Sequence, residues 1–391
     1  MNILIITPDI YPFQRGYGGR NPLNLFDAFS RSGHTTLLLA SVLDREWNGN
    51  ESAKLTELFE IVRLHSIEFV PAAFDYFSLP YIQDIPKIRK LLHSNHYDII
   101  ILNDYFWSLS FLSILLMGKR NRSRTIMINH GIISPNGRGS KYIFNVFSAI
   151  VSKVFIQQFM GILSYSRRSH AAISKIVKPY NRLYIHPSCI DSEQFRIDYE
   201  KSLALSGGYI RNRFGISGRF IFAIGAASPH KGYEHLIRAF SKLLKDYPDF
   251  LLVIAGQFTP YTENLKTLAG NLMIFDKVKL VGPISDEEKF LFQRNCSIFM
   301  IPSLSEGFGA GAMEADVLQL KVVATDTGAH RDILANNRFA RIVVPGNEGE
   351  LYKGMKDLLS MTREPSRTLD LDKLSYYSCE SLVSYIISLV K

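Results

Sequence analysis

The chain has 391 residues, of which 47% are hydrophobic and 21% are charged. This length predicts two domains, because one hydrophobic core rarely serves more than about 250–300 residues. The composition excludes disordered, collagen-like and coiled-coil proteins. Three cysteines, Cys189, Cys296 and Cys379, lie far apart without a CxxC motif. They give no readable zinc site or disulfide pattern, and they indicate a reducing compartment.

The net charge of +9 is unevenly distributed along the chain. Residues 101–190 contain twelve lysines and arginines but one acidic residue, Asp104. A basic surface on part of one domain suggests an acidic partner such as anionic lipid, a diphosphate or nucleic acid, although a merely solvated surface explains the charge equally well. The first residues read as a buried strand and not as a signal peptide, so a cytoplasmic protein is expected.

Short apolar runs alternate with amphipathic segments of helix length throughout. The first half contains six predicted strands: Ile3–Ile6, Thr36–Ala40, Ile61–His65, Asp98–Leu102, Thr125–Asn129 and Ala171–Ser174. The second half contains six more: Phe220–Gly225, Leu251–Ala255, Val278–Val281, Ile298–Ile301, Val322–Ala324 and Arg341–Val344. Continuous Val, Ile and Leu runs separated by helices are typical of parallel sheets covered on both faces, so two doubly wound α/β domains are predicted. A polar, glycine-rich stretch at 188–218 predicts the boundary between them.

One long apolar segment, Phe144–Tyr165, raises the question of membrane contact. Lys153, Gln157 and Gln158 lie in its middle, where they would be costly inside a bilayer, so a membrane-spanning helix is not expected. Basic residues on both sides favour a helix that lies on an anionic bilayer over a buried core helix, and both interpretations stay open.

The segment 301–315, IPSLSEGFGAGAMEA, has the strongest chemical pattern in the chain. It predicts a buried strand, a glycine-rich loop with Glu306 and a helix that carries Glu314. Backbone N–H groups at the helix N-terminus are expected to bind hydroxyls or phosphates, and they belong to Gly307, Phe308 and Gly309. Two carboxylates that flank such amides suit a sugar nucleotide, although two glutamates eight residues apart are common by chance.

Three further features fit the same kind of ligand. Lys231 lies in a loop between a predicted strand and a helix, where its ammonium can bind a diphosphate. Gly18 and Gly19 lie in a predicted loop after the first strand, where they allow a phosphate to approach the backbone closely. Asn21 is the predicted N-cap of the helix that follows this loop. His130 ends the fifth strand and could hydrogen-bond a sugar. Each feature alone could equally be a surface lysine, a flexible loop or a structural histidine.

Two acidic motifs are assigned no chemistry. The segment 285–288, Ser-Asp-Glu-Glu, is a helix capping box, and its role is structural. The Asp-Leu-Asp of residues 370–372 is the single Asp-x-Asp in the chain and is discounted as a metal site. The sequence therefore predicts no metal.

These motifs resemble those of the retaining glycosyltransferases of family 4, also called glycosyl transferases group 1, which have the GT-B architecture. The resemblance rests on Glu-x7-Glu within PSxxEGFG, on Pro-His-Lys-Gly around Lys231, and on the segments 281–284 and 377–389. It implies two Rossmann-like doubly wound domains that face a central cleft. Residues 1–195 would form the acceptor domain, with a closing helix at 373–391 packed on it, and residues 196–372 the nucleotide-sugar domain.

The resemblance also implies a role for each site residue. Lys231 would bind the diphosphate of a UDP- or GDP-linked donor, Glu314 its ribose hydroxyls and Glu306 its sugar, and no essential metal or other cofactor is implied. Lys231, Glu306 and His130 would be the catalytic residues. The other implied donor contacts are Gly18, Gly19, Pro283, Ile284, Gly307, Phe308 and Gly309. Ala226 replaces an arginine that the family often has, and Arg219 or Arg331 could supply that charge.

The implied function is sugar transfer with retention to a glycan or a polyisoprenyl-diphosphate-linked glycan in bacterial surface polysaccharide synthesis. The protein would then be cytoplasmic, or peripheral on the inner face of the plasma membrane, where an anionic membrane surface is a further partner. Other GT-B enzymes, such as a nucleotide-sugar epimerase or a phosphorylase, and a non-catalytic sugar-nucleotide binder stay open. Nucleic acid is not expected as a partner, because the basic stretch contains no recognisable nucleic-acid-binding motif.

Overall fold

The computed structural model describes residues 1–7, 17–43, 61–69, 77–80, 84–94, 96–104, 108–130, 148–177, 180–205 and 207–390. The chain divides into two compact units. The first unit comprises Met1–Ile190 and Tyr377–Lys391, and the second comprises Asp191–Tyr376.

The first unit is built on an eight-stranded sheet with the strand order β4-β3-β2-β1-β5-β6-β7-β8. Its strands are β1 (Asn2–Thr7), β2 (Thr35–Leu43), β3 (Ile61–Phe69), β4 (Phe77–Pro80), β5 (Ile99–Asn103), β6 (Thr125–Asn129), β7 (Gly161–Ser164) and β8 (Leu183–Ile185). All neighbouring strands are parallel except β3 and β4, which are antiparallel. The described helices are α1 (Tyr17–Arg31), α2 (Ile85–Ser94), α3 (Ser108–Leu116), α4 (Lys119–Arg122), α5 (148–154), α6 (Arg167–Ile176) and, from the end of the chain, α16 (Cys379–Ser388).

The second unit is built on a six-stranded, wholly parallel sheet with the order β11-β10-β9-β12-β13-β14. Its strands are β9 (Phe220–Ile224), β10 (Leu251–Ala255), β11 (Val278–Gly282), β12 (Ile298–Ile301), β13 (Val322–Thr325) and β14 (Ala340–Val343). Its helices are α7 (Ser192–Ala204), α8 (Gly207–Phe214), α9 (Tyr233–Leu243), α10 (Tyr261–Asn271), α11 (Asp286–Asn295), α12 (Ala310–Val317), α13 (His330–Ile333), α14 (Glu348–Ser360) and α15 (Leu371–Tyr376).

Helices cover both sheets, so the central strands are buried on both faces. Every residue of β5, β6, β12 and β13 is buried. This explains why these strands are continuous apolar runs without alternation. The predicted α/β class with two parallel sheets is confirmed, and the six strands predicted for the second half are all present.

One predicted strand is wrong. Ala171–Ser174 lies inside α6, which begins after a capping box between Ser166 and Ser169. Ser166 Oγ accepts from the Ser169 backbone N–H at 3.0 Å, and this cap satisfies an otherwise unpaired donor of the first turn. A four-residue apolar run fits a helix as well as a strand, and here the capping box stabilises the start of a helix.

The apolar segment Phe144–Tyr165 is not the single helix that was predicted. Its first four residues lie outside the described ones. Residues 148–154 are helical, a 3₁₀ turn follows at Ile156–Gln158, and the chain then enters β7. The run is therefore apolar because it supplies a short helix and a central strand to one core. In the described residues, no helix is long and apolar enough to cross a bilayer.

No disulfide pattern is readable in the sequence, but Cys189 and Cys379 form a disulfide in the first unit. They are 190 residues apart in sequence. They meet because the backbone of Ile190 pairs with that of Ser378, where the chain returns to the first unit. Cys296 is buried and free. A contact created by the return of the last helix leaves no local signal in the sequence.

The core of the second unit supplies a stability test. Phe292 on α11 is fully buried and contacts the rings of Phe214, Phe220 and Phe222. We expect Phe292→Ala to lower the free energy of unfolding by about 3–5 kcal/mol, since it removes buried area and leaves a cavity. Phe275→Ala is the matched control, because Phe275 is 61% exposed, and it should change stability by less than about 0.5 kcal/mol. Urea denaturation of both variants measures the difference, and equal losses would contradict the packing described here.

Candidate functional site

The sheet of the second unit has a topological switch point between β9 and β12. From β9 the chain proceeds outward through β10 to β11, and it then returns to place β12 on the other side of β9. In open α/β sheets, ligands bind beyond the carboxyl ends of the strands at such a point. Lys231 follows β9 and Glu306 follows β12, so the topology brings two of the predicted catalytic residues together.

Lys231 and Glu306 form an ion pair in this position. Lys231 Nζ lies 2.6 Å from Glu306 Oε1, and the Ser303 hydroxyl donates to the same oxygen at 2.7 Å. The two charged side chains are 25% and 16% exposed, respectively. Burial by itself would raise the pKa of Glu306, but the Lys231 ammonium outweighs it and lowers that pKa. Glu306 is therefore ionised near neutral pH.

The loops that carry this pair are joined by their backbones as well. The N–H of Leu304 donates to the carbonyl of His230 at 2.7 Å. Gly232 has φ = +67°, and a β-carbon there would overlap the carbonyl oxygen of Pro302. The lysine loop and the glutamate loop are thus held in contact, which fixes both charged groups with little freedom.

The glycine-rich loop after Glu306 is packed against the loop after β13. Gly309 has φ = +98° and is the N-cap of α12. A β-carbon on Gly309 would overlap Nε2 of His330. The Ala329 N–H donates to the carbonyl of Phe308 at 2.8 Å, and Phe308 is 5% exposed. The loop of backbone amides predicted at Gly307 to Gly309 is therefore held in place by residues that lie outside the glycine-rich motif.

His330 supports this loop, and the sequence interpretation missed it. Its Nδ1 lies 2.8 Å from the carbonyl oxygen of Thr325, so this nitrogen carries the hydrogen. Its Nε2 is buried beside Gly309 and has no hydrogen-bond partner within the described part of the chain. Burial lowers the pKa of His330, which keeps the ring neutral. Position 330 has no chemical pattern around it, so only the fold identifies it.

Glu314, the second glutamate, is held by α11. Its Oε1 lies 2.8 Å from Lys289 Nζ and its Oε2 2.8 Å from Gln293 Nε2. The predicted capping box at Ser285 is confirmed, since Ser285 and Glu288 bind each other reciprocally at the start of this helix. Lys289 and Gln293 were not predicted. The sequence feature that could have pointed to them is their spacing of four residues on one predicted helix. This spacing is too common in helices to identify site residues by itself.

The end of β11 contains the predicted base-binding residues. Gly282 has φ = +77°, and its carbonyl accepts from the Gly256 N–H at 2.8 Å. Pro283 is exposed and Ile284 partly buried. Phe258, which is 52% exposed, lies against Gly282. The segment therefore presents apolar surface at the same edge of the sheet as Lys231.

The two arginines considered as replacements at Ala226 have other partners. Arg331 forms a bidentate ion pair with Asp326 at 2.8–3.1 Å and is 65% exposed. Arg219 lies over the ring of Phe250. In the described residues, the ion pair with Glu306 is therefore made by Lys231, and neither arginine takes part in it.

His130 lies in the first unit, after β6. Its Nε2 is 3.0 Å from Asn103 Oδ1, which can only accept, so Nε2 carries the hydrogen. The His130 backbone N–H donates to Asp104 at 3.3 Å, and the ring of Tyr165 meets the imidazole edge-on at 5.0 Å. Burial lowers the pKa of His130 to about 4. Asp104, which has φ = +52°, and Asn103 were not predicted as its partners.

Gly18 and Gly19 lie in the first turn of α1, which begins at Tyr17 and not at the predicted cap. Asn21 is inside the helix and buried, and its side-chain amide donates to Ser188 at 2.9 Å. The loop prediction for these residues is therefore wrong. Asn21 contributes a tertiary hydrogen bond instead of a helix cap.

Within the described residues, no group of three or more His, Cys, Asp or Glu side chains is arranged to hold a metal ion.

Residues 211–370 match the family described as glycosyl transferases group 1. The mannosylfructose-phosphate synthase of Agrobacterium fabrum is 31% identical over 36% of this chain and 33% of its own length. The O-antigen chain mannosyltransferase RfbU of Salmonella typhimurium is 24% identical over 63% of this chain and 64% of its own length. The chain thus spans less than two thirds of the length of these curated relatives.

Solved structures match the whole chain. A glycosyltransferase from Rickettsia africae gives a TM-score of 0.73 at 16% identity and covers 100% of this chain and 98% of that one. Anabaena HepE in complex with UDP and glucose gives 0.66 at 16% identity, with coverage of 100% and 97%. The fold is therefore that of the GT-B glycosyltransferases, and the group 1 sequence pattern lies in its second unit.

The contact between the two loops gives a stability prediction. Gly232 and Gly215 have nearly the same φ, +67° and +66°, but a β-carbon on Gly215 would meet nothing within 4 Å. We expect Gly215→Ala to cost about 1–2 kcal/mol of stability for the left-handed backbone. Gly232→Ala should cost about 1–3 kcal/mol more, because its methyl group overlaps Pro302. Urea denaturation measures both values, and equal losses would show that the loops are not in tight contact.

The partly buried imidazole of His130 gives a pH prediction. Its pKa in the folded protein is about 4, below the ordinary value of 6.5, so the unfolded chain takes up the proton first. The contribution of His130 to the free energy of unfolding is therefore present above pH 6.5 and is lost as the pH falls from 6.5 towards 4. NMR titration of the ring should give a midpoint below pH 5, and a midpoint at or above 6.5 would contradict the burial of this ring.

Proposed function

We propose that the chain is a retaining glycosyltransferase of family 4 that transfers a sugar from a UDP- or GDP-linked donor. The observation that carries the proposal is the Lys231–Glu306 ion pair at the switch point of the second sheet. This pair lies within the residues that match group 1 glycosyl transferases. A cation for a diphosphate and a carboxylate for sugar hydroxyls are the two groups that a sugar nucleotide requires.

The proposed chemistry follows from the charge that develops during transfer. When the anomeric C–O bond breaks, negative charge grows on the leaving diphosphate. Lys231 would stabilise that charge, together with the N-terminus of α12, and such electrostatic stabilisation is usually the largest contribution to catalysis. Glu306 would accept hydrogen bonds from the donor sugar, and sugar binding by His130 stays a prediction from the sequence. We assign no metal to this step.

The acceptor is proposed from the relatives. The Salmonella relative is named an O-antigen chain mannosyltransferase. A Campylobacter jejuni relative, 25% identical over 63% of this chain and 64% of its own length, is named N-acetylgalactosamine-N,N'-diacetylbacillosaminyl-diphospho-undecaprenol 4-alpha-N-acetylgalactosaminyltransferase. These names support a glycan or lipid-linked glycan acceptor in surface polysaccharide synthesis. The basic residues of 101–190 would suit a cytoplasmic enzyme that works beside an anionic membrane.

The donor is identified first, by thermal-shift measurements with UDP, GDP and their sugars. A ligand that binds only the folded state at 100 times its dissociation constant stabilises it by about 2.7 kcal/mol. Transfer to a lipid-linked glycan acceptor is then measured through the nucleoside diphosphate that it releases. The anomeric configuration of the product, read by NMR, tests retention.

Removing either charge of the ion pair should abolish most of the transfer. We expect Lys231→Met to lower kcat by about 10²–10³-fold, since one preorganised charge-stabilising donor contributes about 2.7–4 kcal/mol. Glu306→Gln, which keeps the size of the side chain, should also lower kcat. Lys242→Met is the matched control, because Lys242 is an exposed lysine of α9 that pairs with Glu348, and it should retain full activity.

Other outcomes distinguish the alternatives. Full transfer by Lys231→Met and Glu306→Gln would refute the site assignment. Conversion of the donor without acceptor would identify an epimerase, and a requirement for free phosphate would identify a phosphorylase. Tight nucleotide binding without turnover by the wild type would identify a non-catalytic binder.

A further inference from the structure

The cluster around Glu314 contains two side chains with no role in the function proposed above. Lys289 and Gln293 are four residues apart on α11 and therefore lie on one face of that helix. Each donates to a different oxygen of the Glu314 carboxylate, and both distances are 2.8 Å. Both oxygens of one carboxylate are thus held from the same side, by one rigid helix.

Gln293 makes this contact at a cost. It is fully buried, and its Oε1 has no hydrogen-bond partner within the described residues. An unpaired buried amide oxygen destabilises the folded protein, and a leucine of similar size would avoid this cost. The contact that the amide does make is the donation to Glu314, so orienting that carboxylate is the role that the geometry offers.

Lys289 supplies a charge at the same carboxylate. Its ammonium lies 2.8 Å from Glu314 and 3.2 Å from Asp286, and its side chain is 16% exposed. Burial opposes its positive charge, but the two carboxylates outweigh this effect and raise its pKa. The ring of Phe290 lies 4.7 Å below the ammonium. Lys289 therefore stays charged at neutral pH and compensates the charge of Glu314.

The carboxylate of Glu314 can still accept a ligand. Its side chain is 16% exposed, and each carboxylate oxygen has a second lone pair after binding Lys289 or Gln293. Two neighbouring hydroxyls, such as the 2′ and 3′ hydroxyls of a ribose, could donate to these two oxygens together. A carboxylate fixed before binding loses less entropy when it makes those bonds.

We propose that Lys289 and Gln293 are positioning residues that fix Glu314 to accept ribose hydroxyls, and that Lys289 offsets the repulsion between Glu314 and an anionic nucleotide. The proposal rests on the function proposed above and on the role that the family resemblance implies for Glu314, which is to bind the ribose of the donor. It adds two residues to the nucleotide site and makes the recognition of ribose, and not of the sugar that is transferred, depend on them.

Calorimetric titration with nucleotides tests the proposal without any transfer reaction. The probes are UDP and GDP, followed by the 2′,3′-dideoxy form of whichever binds the wild type. We expect Lys289→Met to weaken binding of the ribonucleotide about 5- to 20-fold, since it removes one of the two hydrogen bonds that hold the Glu314 carboxylate and leaves its charge uncompensated. Binding of the dideoxynucleotide, which lacks both hydroxyls, should weaken by a smaller factor, because this ligand loses only the compensation of the Glu314 charge.

Three further variants separate positioning from general effects. Lys289→Arg keeps the charge and should recover part of the affinity. Gln293→Leu removes the orienting amide but also the unpaired oxygen, so it should fold at least as stably and still lose affinity for the ribonucleotide. Lys266→Met is the matched control, because Lys266 is an exposed lysine of α10 paired with Glu263, and it should bind both nucleotides as the wild type does.

The outcomes separate this proposal from the proposed function. If the wild type binds neither UDP nor GDP, the proposed donor site is wrong. If the wild type prefers the ribonucleotide, but Lys289→Met and Gln293→Leu weaken both nucleotides equally or neither, the positioning role is overturned. If Lys289→Met does not fold, Gln293→Leu alone decides the question by the same comparison.

Discussion

The ion pair between Lys231 and Glu306 is the interaction on which the candidate site depends. It joins the ends of two neighbouring strands, β9 and β12, that are far apart in sequence, and the Gly232–Pro302 contact leaves it little room to move. Removing one partner of a partly buried pair leaves an uncompensated charge, so neither residue can be exchanged freely. If a sugar nucleotide binds as proposed, its diphosphate and hydroxyls would compete with this contact.

A second ion pair repeats this arrangement on α12. Glu306 precedes the helix and Glu314 lies within it, and each is matched by a lysine from a different element, Lys231 or Lys289. Uncompensated carboxylates would repel an anionic nucleotide, so in the proposed site the lysines matter for binding as much as the glutamates. The Glu-x7-Glu spacing can therefore be interpreted physically only when the lysines that pair with the two glutamates are known.

Sequence alone predicts the parts of the site that are continuous in the chain. The strand, loop and helix around Glu306 follow from an apolar run, glycines and a helix-forming segment, and Lys231 from the same pattern after β9. His330 and Gln293 could not be predicted, because they reach the site through the packing of separate elements. The Cys189–Cys379 bond is missing from the prediction for the same reason.

The charge of the site is set by its lysines and glutamates and not by its histidines. Burial lowers the pKa values of His230 and His330, and in His230 the neighbouring Lys231 adds to the effect. The pKa of Glu306 is lowered and that of Lys289 is raised. Every one of these shifts moves the titration away from neutral pH. Binding of an anionic nucleotide should therefore respond to ionic strength more than to pH in the neutral range, because salt screens charges that protons do not change.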